Sequence, residues 1–73
     1  MTSFLEAAII ILKEKAEPLT VGEITEIGLQ KGLIKSSGKT PASTMYSQIY
    51  RDIKKYKNKS AFIKIRRGYF SLH

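Results

Sequence analysis

Three helix-start signals fall at Ser3, Thr20 and Thr40, and strand-like alternation begins only after Ser60. This order constrains the fold more than any other feature of the chain. Ser3-Phe4-Leu5-Glu6 and Thr20-Val21-Gly22-Glu23 both read as capping boxes, in which a hydroxyl and a carboxylate each satisfy a backbone N–H of the other residue. Thr40-Pro41 reads as N-cap and N1, because proline fixes a helical φ where its missing N–H costs nothing.

The periodicity between these signals is helical. Leu5, Ala8, Ile9, Leu12 and Ala16 form one stripe, widened by Phe4 and Ile11, which suits burial against two neighbours; Ile10 lies outside it. Pro18 stops the first helix, and Leu19-Thr20 is a short extended link. The second helix runs to Gly32, placed as a C′ glycine, with Val21, Ile24, Ile27 and Gly28 facing inward. Gly28 costs about 1 kcal/mol relative to Ala, so close approach of a neighbouring helix is expected there. After the polar loop Lys35 to Lys39, a third helix over about 41–56 places Ala42, Met45, Tyr46, Ile49, Ile53 and Tyr56 on one side. Ser43, Ser47, Arg51 and Lys54 lie opposite, flanked by Thr44, Gln48 and Lys55. Asn58 to Ser60 breaks the pattern. Phe62 to Ile65 and Tyr69 to Leu72 then read as a β-hairpin with Ile63, Ile65, Phe70 and Leu72 inward, Lys64 outward, and Arg66 and Arg67 at the tip. The order describes an α+β winged helix-turn-helix, with three helices followed by a C-terminal hairpin wing, in one domain over 1–73 with no internal repeat or linker.

At 73 residues the chain buries only roughly 60% of its unfolded surface, too little for a core together with a deep substrate cleft. Most enzyme classes are disfavoured, and no small-molecule substrate or cofactor is expected. Cysteine is absent and His73 is the single histidine, which excludes a disulfide scaffold and a zinc site built on Cys or paired His. The longest apolar run, Ala7 to Leu12, is too short for a membrane span and lacks a cleavage site after it, so a soluble intracellular protein with no membrane partner is expected.

The formal charge of +7 is unevenly divided. Residues 1 to 30 hold five Glu against Lys13 and Lys15, a net −3; from Lys31 onward eight Lys and three Arg face Asp52 alone, a net +10. A one-ended basic field is what a polyanion-binding face requires; the alternative is a solvated Lys-rich surface without a partner. The acidic first two helices suit a scaffold, whereas the third can lie in the roughly 12 Å major groove. Ser43, Thr44, Ser47, Gln48 and Arg51 are the candidates for base edges, since Arg and Gln make bidentate contacts to purines and short hydroxyls allow close approach. Lys54, Lys55, Lys57, Lys64, Arg66 and Arg67 are candidates for phosphates or a neighbouring groove. Lys39, Thr40 and the N–H groups opening the third helix form a second candidate anion site, with a capped loop and a solvated lysine as the alternative. Gly38-Lys39-Thr40 does not complete a P-loop, because Gly32 is one residue too far away, Pro41 follows, and no carboxylate is available for Mg²⁺; nucleotide hydrolysis is rejected.

The whole chain resembles the HARE-HTH family of winged-helix modules. The resemblance is carried by Phe4-Leu5-Glu6-Ala7-Ala8, Pro18-Leu19 with Glu23-Ile24, Gly32-Leu33-Ile34, Ser37-Gly38-Lys39-Thr40-Pro41, Ile49-Tyr50 with Asp52-Ile53, and Phe62 with Arg67-Gly68-Tyr69-Phe70. It implies binding to double-stranded DNA, as one module of a larger protein with a fused effector domain or transcription machinery as partner. Modules of this kind occur in restriction enzymes, in chromatin regulators of the additional-sex-combs-like type and in the delta subunit of bacterial RNA polymerase. It implies no catalytic residue. The competing reading is a protein-interaction module, with Tyr46, Tyr50, Tyr56 and Tyr69 as anchors if they form an exposed cluster away from the basic face.

Overall fold

Ser3 and Thr20 start their helices as their spacing predicts. Ser3 Oγ accepts from the Glu6 N–H at 3.1 Å while the Glu6 carboxylate accepts from the Ser3 N–H at 3.3 Å; Thr20 and Glu23 repeat the exchange at 3.1 and 2.9 Å. In the computed structural model, which describes residues 3–35 and 40–72, these caps open α1 (Phe4–Lys15) and α2 (Val21–Gln30). The helix α3 (Pro41–Tyr56) follows, then a short 3₁₀ turn (Lys57–Lys59), and then the hairpin strands β2 (Phe62–Arg66) and β3 (Tyr69–Leu72). Leu19–Thr20, expected as a link without partners, is the strand β1, antiparallel to β3, and the sheet order is β1-β3-β2. Three helices and a small antiparallel sheet make an α+β winged helix-turn-helix.

Helix ends follow from backbone chemistry. The α1 helix stops at Lys15, earlier than Pro18, because Ala16 turns left-handed at φ 56° and donates its N–H to Leu12 C=O at 2.9 Å. Ala16 is therefore an exposed cap and not a member of the buried stripe. The α2 helix ends in a full Schellman pairing: Leu33 N–H donates to Gly28 C=O at 2.9 Å and Gly32 N–H to Leu29 C=O at 3.2 Å. Gly32 takes φ +72°, a conformation that favours glycine.

The core joins Ala7, Ala8, Ile11 and Leu12 of α1, Val21 and Ile24 of α2, Met45 and Ile49 of α3, and Phe62 and Phe70 of the hairpin, with Leu19 and Ile34 closing it. A Cβ added at Gly28 would lie 3.1 Å from Ile34 and 3.5 Å from Ile11. The closest approach at Gly28 thus comes from the segment after α2, with the neighbouring helix second. The hairpin's inward face is corrected by its register. Phe62 pairs with Leu72 and Lys64 with Phe70, so Phe62, Phe70 and Leu72 share the core face, with Lys64 at its exposed end. Ile63 pairs with Ser71 on the other face, and Ile65 sits at a register shift with half its surface exposed. Side chains alternate with period two, so choosing the wrong first residue inverts the whole assignment.

Candidate nucleic-acid interface

Met45 and Ile49, both fully buried, fix the rotation of α3 about its axis. With that side held, Ser43, Ser47, Arg51, Lys54 and Lys55 are exposed, and Thr44 and Gln48 are half-buried at the margin. Arg51 stands between two open depressions. One is lined by Gln48, Arg51, Asp52, Lys55 and Tyr56 with Leu5 of α1; the other by Tyr46, Ser47, Tyr50, Arg51 and Lys54. At the start of α3, Thr40 is an exposed N-cap with no side-chain cap bond, and Pro41 occupies N1. Thr40 C=O accepts from the N–H groups of Ser43 and Thr44 at 3.1 and 3.3 Å. Lys39, the other member of the candidate anion site, lies outside the described residues.

Tyr46 and Tyr56, expected inward, face out instead: their exposures are 47% and 48%. Tyr46 lies on the flank of the buried stripe, and Tyr56 is at the end of the helix, where little packs over it. Tyr46 stacks on Tyr50, one helical turn on, with ring centroids 5.8 Å apart and planes 12° from parallel. Its other aromatic neighbour is the buried Phe70, met edge-on at 6.4 Å. The spacing of the two tyrosines is visible in the sequence, but a pair at i and i+4 reads equally well as core.

Asp52 is the single acid of the basic half, and its role is structural. The Ser60 hydroxyl donates to the Asp52 carboxylate, and the Phe62 N–H donates to Ser60 Oγ at 3.1 Å. This relay ties α3 to the first residue of β2. Lys57, at φ 50° and ψ −118°, turns the chain out of α3 and donates its N–H to Ile53 C=O. Lys57 and Lys64 flank a depression with Ile53, Asn58, Phe62 and Ile63 between helix and hairpin. The tip proper is Arg67–Gly68, with Gly68 at φ +83°. Arg66 is the last residue of β2 rather than a tip residue; it pairs with Tyr69, and its guanidinium lies 4.4 Å from that ring's centroid. All three hairpin cations, Lys64, Arg66 and Arg67, are exposed.

The charges of α1 and α2 are arranged differently. Lys31 leaves the basic field by pairing with Glu14 at 2.8 Å, and the bond from Lys31 holds the Glu14 carboxyl below its usual range, aided by the lysine's charge. Among the described residues no three His, Cys, Asp or Glu side chains gather as a metal site would need, and no helix is long and apolar enough to cross a membrane.

Over residues 2–73 the chain matches the HARE-HTH family model, whose description is that of the helix-turn-helix domain found in ASXL proteins and restriction endonucleases. The chain belongs to the HARE-HTH family. Neither the curated proteins nor the solved structures yield a significant match. HARE-HTH is a helix-turn-helix family, generally one of DNA binding, and the match extends over all three helices and the hairpin of this domain. In this HARE-HTH domain the candidate residues fall into two groups. Ser43, Ser47, Gln48, Arg51, Lys54 and Lys55 are presented by one helix, and Lys64, Arg66 and Arg67 by the hairpin, with Lys57 at the join.

Proposed function

We propose that this domain binds double-stranded DNA, with α3 in the major groove and the hairpin cations on the backbone or an adjacent groove. The observation that carries this reading is the coincidence of charge with architecture. The net +10 of the second half is displayed by α3, the turn after it and the hairpin, while the glutamates stand on or beside α1 and α2. Ser43, Ser47 and Arg51 are the base-edge residues in this reading, with Thr44 and Gln48 contributing from the margin. Lys54, Lys55, Lys57, Lys64, Arg66 and Arg67 neutralise phosphates, and Lys39 and Thr40 add an anion contact at the start of α3. The domain acts without catalysis of its own, as one module that positions a fused effector or transcription machinery.

Protein interaction is the alternative reading, and it requires an aromatic cluster away from the basic face. The exposed Tyr46 and Tyr50 share a depression with Arg51 and Lys54, so this aromatic surface lies within the cationic face. A salt titration on blunt duplex DNA tests the proposal. Neutralising about six phosphates gives a slope of log K against log[salt] near −5. Arg51→Ala is expected to change sequence preference, whereas Lys55→Ala weakens all sequences alike and reduces the slope by about 1. A salt-insensitive interaction, or no binding to duplex at low salt, overturns the proposal.

A further inference from the structure

We infer that Tyr46 and Tyr50 form a stacking shelf for an unpaired nucleobase, so that the domain prefers duplex DNA flanked by a single strand to blunt duplex. The inference rests on the DNA-binding reading above and adds a second ligand element to it. Three observations carry it. The rings of Tyr46 and Tyr50 are nearly parallel at 5.8 Å, yet each residue is 47% exposed, so the stack is not there to fill the core. The stack is anchored at one end, where Tyr46 meets the buried Phe70; Tyr50 has no further aromatic neighbour among the described residues. Ser47, Arg51 and Lys54 line the same depression as the two rings, which supplies positive charge and hydrogen-bond donors where a base and its phosphate would lie.

The preference for an unpaired base follows from what each ligand offers. Inside B-DNA every base face is covered by the next pair, so a groove-bound ring meets only base edges and backbone. An unpaired base exposes its π-face, and stacking it on an aromatic side chain beside cations is the sequence-tolerant mode of single-strand binding. Offset rings 5.8 Å apart leave no slot between them for a base, so the ligand extends the series from Phe70 through Tyr46 and Tyr50 as its next member. The cations of the same depression favour a nucleic acid over an apolar protein segment, and the exposed aromatic faces favour a base over a free phosphate.

Fluorescence anisotropy with a blunt duplex and the same duplex carrying a short thymine overhang tests this. The overhang probe is expected to bind about 5- to 150-fold more tightly, the effect of one base stacked on one aromatic side chain. Tyr50→Phe keeps that advantage. Tyr50→Ala and Tyr50→Leu remove it and leave blunt-duplex affinity within about twofold, with circular dichroism confirming that each variant is folded. The inference is overturned if overhang and blunt probes bind equally, if the advantage survives Tyr50→Ala, or if that variant weakens both probes alike. Failure of both probes to bind at low salt overturns the DNA-binding reading itself, whereas blunt-duplex binding without an overhang advantage overturns the shelf alone.

Discussion

In α1 and α2 the polar groups at the surface answer one another: Ser3 with Glu6, Thr20 with Glu23, Glu14 with Lys31. In α3 and the hairpin they mostly do not. Thr40 caps its helix without a side-chain bond, and Arg51, Lys54, Lys55, Lys64 and Arg67 are exposed cations with a single acid nearby in the sequence, Asp52. That acid is bonded to Ser60. Both regions share one hydrophobic core, so packing does not account for the contrast. A surface whose charges are satisfied internally suits a scaffold; one whose charges are not carries a standing self-repulsion that a polyanion relieves.

The contrast can be broken most severely from beneath. Phe70→Ala removes a fully buried ring that also braces Tyr46, and is expected to cost about 3–5 kcal/mol in a denaturant titration. A loss below about 1 kcal/mol would mean that the hairpin is not integral to the core. Next in size is Asp52→Ala, which orphans the Ser60 hydroxyl and is expected to cost about 1.5–3 kcal/mol, a range set by hydrogen bonds to charged groups. Asp52→Asn, which keeps an acceptor oxygen, should recover part of that stability. Comparison of both variants on blunt duplex DNA separates stability from charge, since each raises the net charge by one.

A smaller effect sharpens the comparison at the helix starts. Thr20→Ala should cost about 1 kcal/mol, and Thr40→Ala, at a cap with no side-chain bond, should stay within about 0.5 kcal/mol. Equal losses at the two positions would erase the distinction between satisfied and unsatisfied caps. Smallest is the Glu14–Lys31 pair on the open surface. Its carboxyl is held below the usual 4.5, so its contribution is present above that value and disappears as pH falls through the lowered one. Glu14→Gln should therefore match the unmodified protein in acid and fall slightly below it at neutral pH, a gap that salt narrows.

Much of this is legible in the sequence because it is local. Capping boxes, a C′ glycine and Pro at N1 are written within four residues of where they act, and Thr40-Pro41 and the break at Asn58 mark the boundaries of α3. The elements that escape depend on distant partners. Nothing in Leu19-Thr20 signals a strand, because β1 exists only through its pairing with Phe70 and Tyr69. The hairpin's inward face escapes because both Phe62-x-Lys64 and Ile63-x-Ile65 alternate. The apolar pair is the natural choice, but the ladder and its irregularity near Ile65 decide otherwise. In the candidate interface, the polar side of α3 is visible from its spacing. The outward tyrosine shelf and the Asp52–Ser60 tie are not, since the first depends on how far the core stripe extends and the second on how the chain turns at Lys57.

Thr20 belongs to two elements at once. As the last residue of β1 it lies opposite Tyr69, the residue against which Arg66 stacks; as the N-cap of α2 it holds both halves of a capping box with Glu23. The route from the hairpin tip to the first turn of α2 therefore passes through one residue. A pull on the guanidinium of Arg66 must either carry the start of α2 with it or open the cap. The amide proton of Glu23, bonded to Thr20 Oγ1, is thus a strain gauge for the hairpin, and its exchange rate reports load on the wing from the opposite side of the sheet.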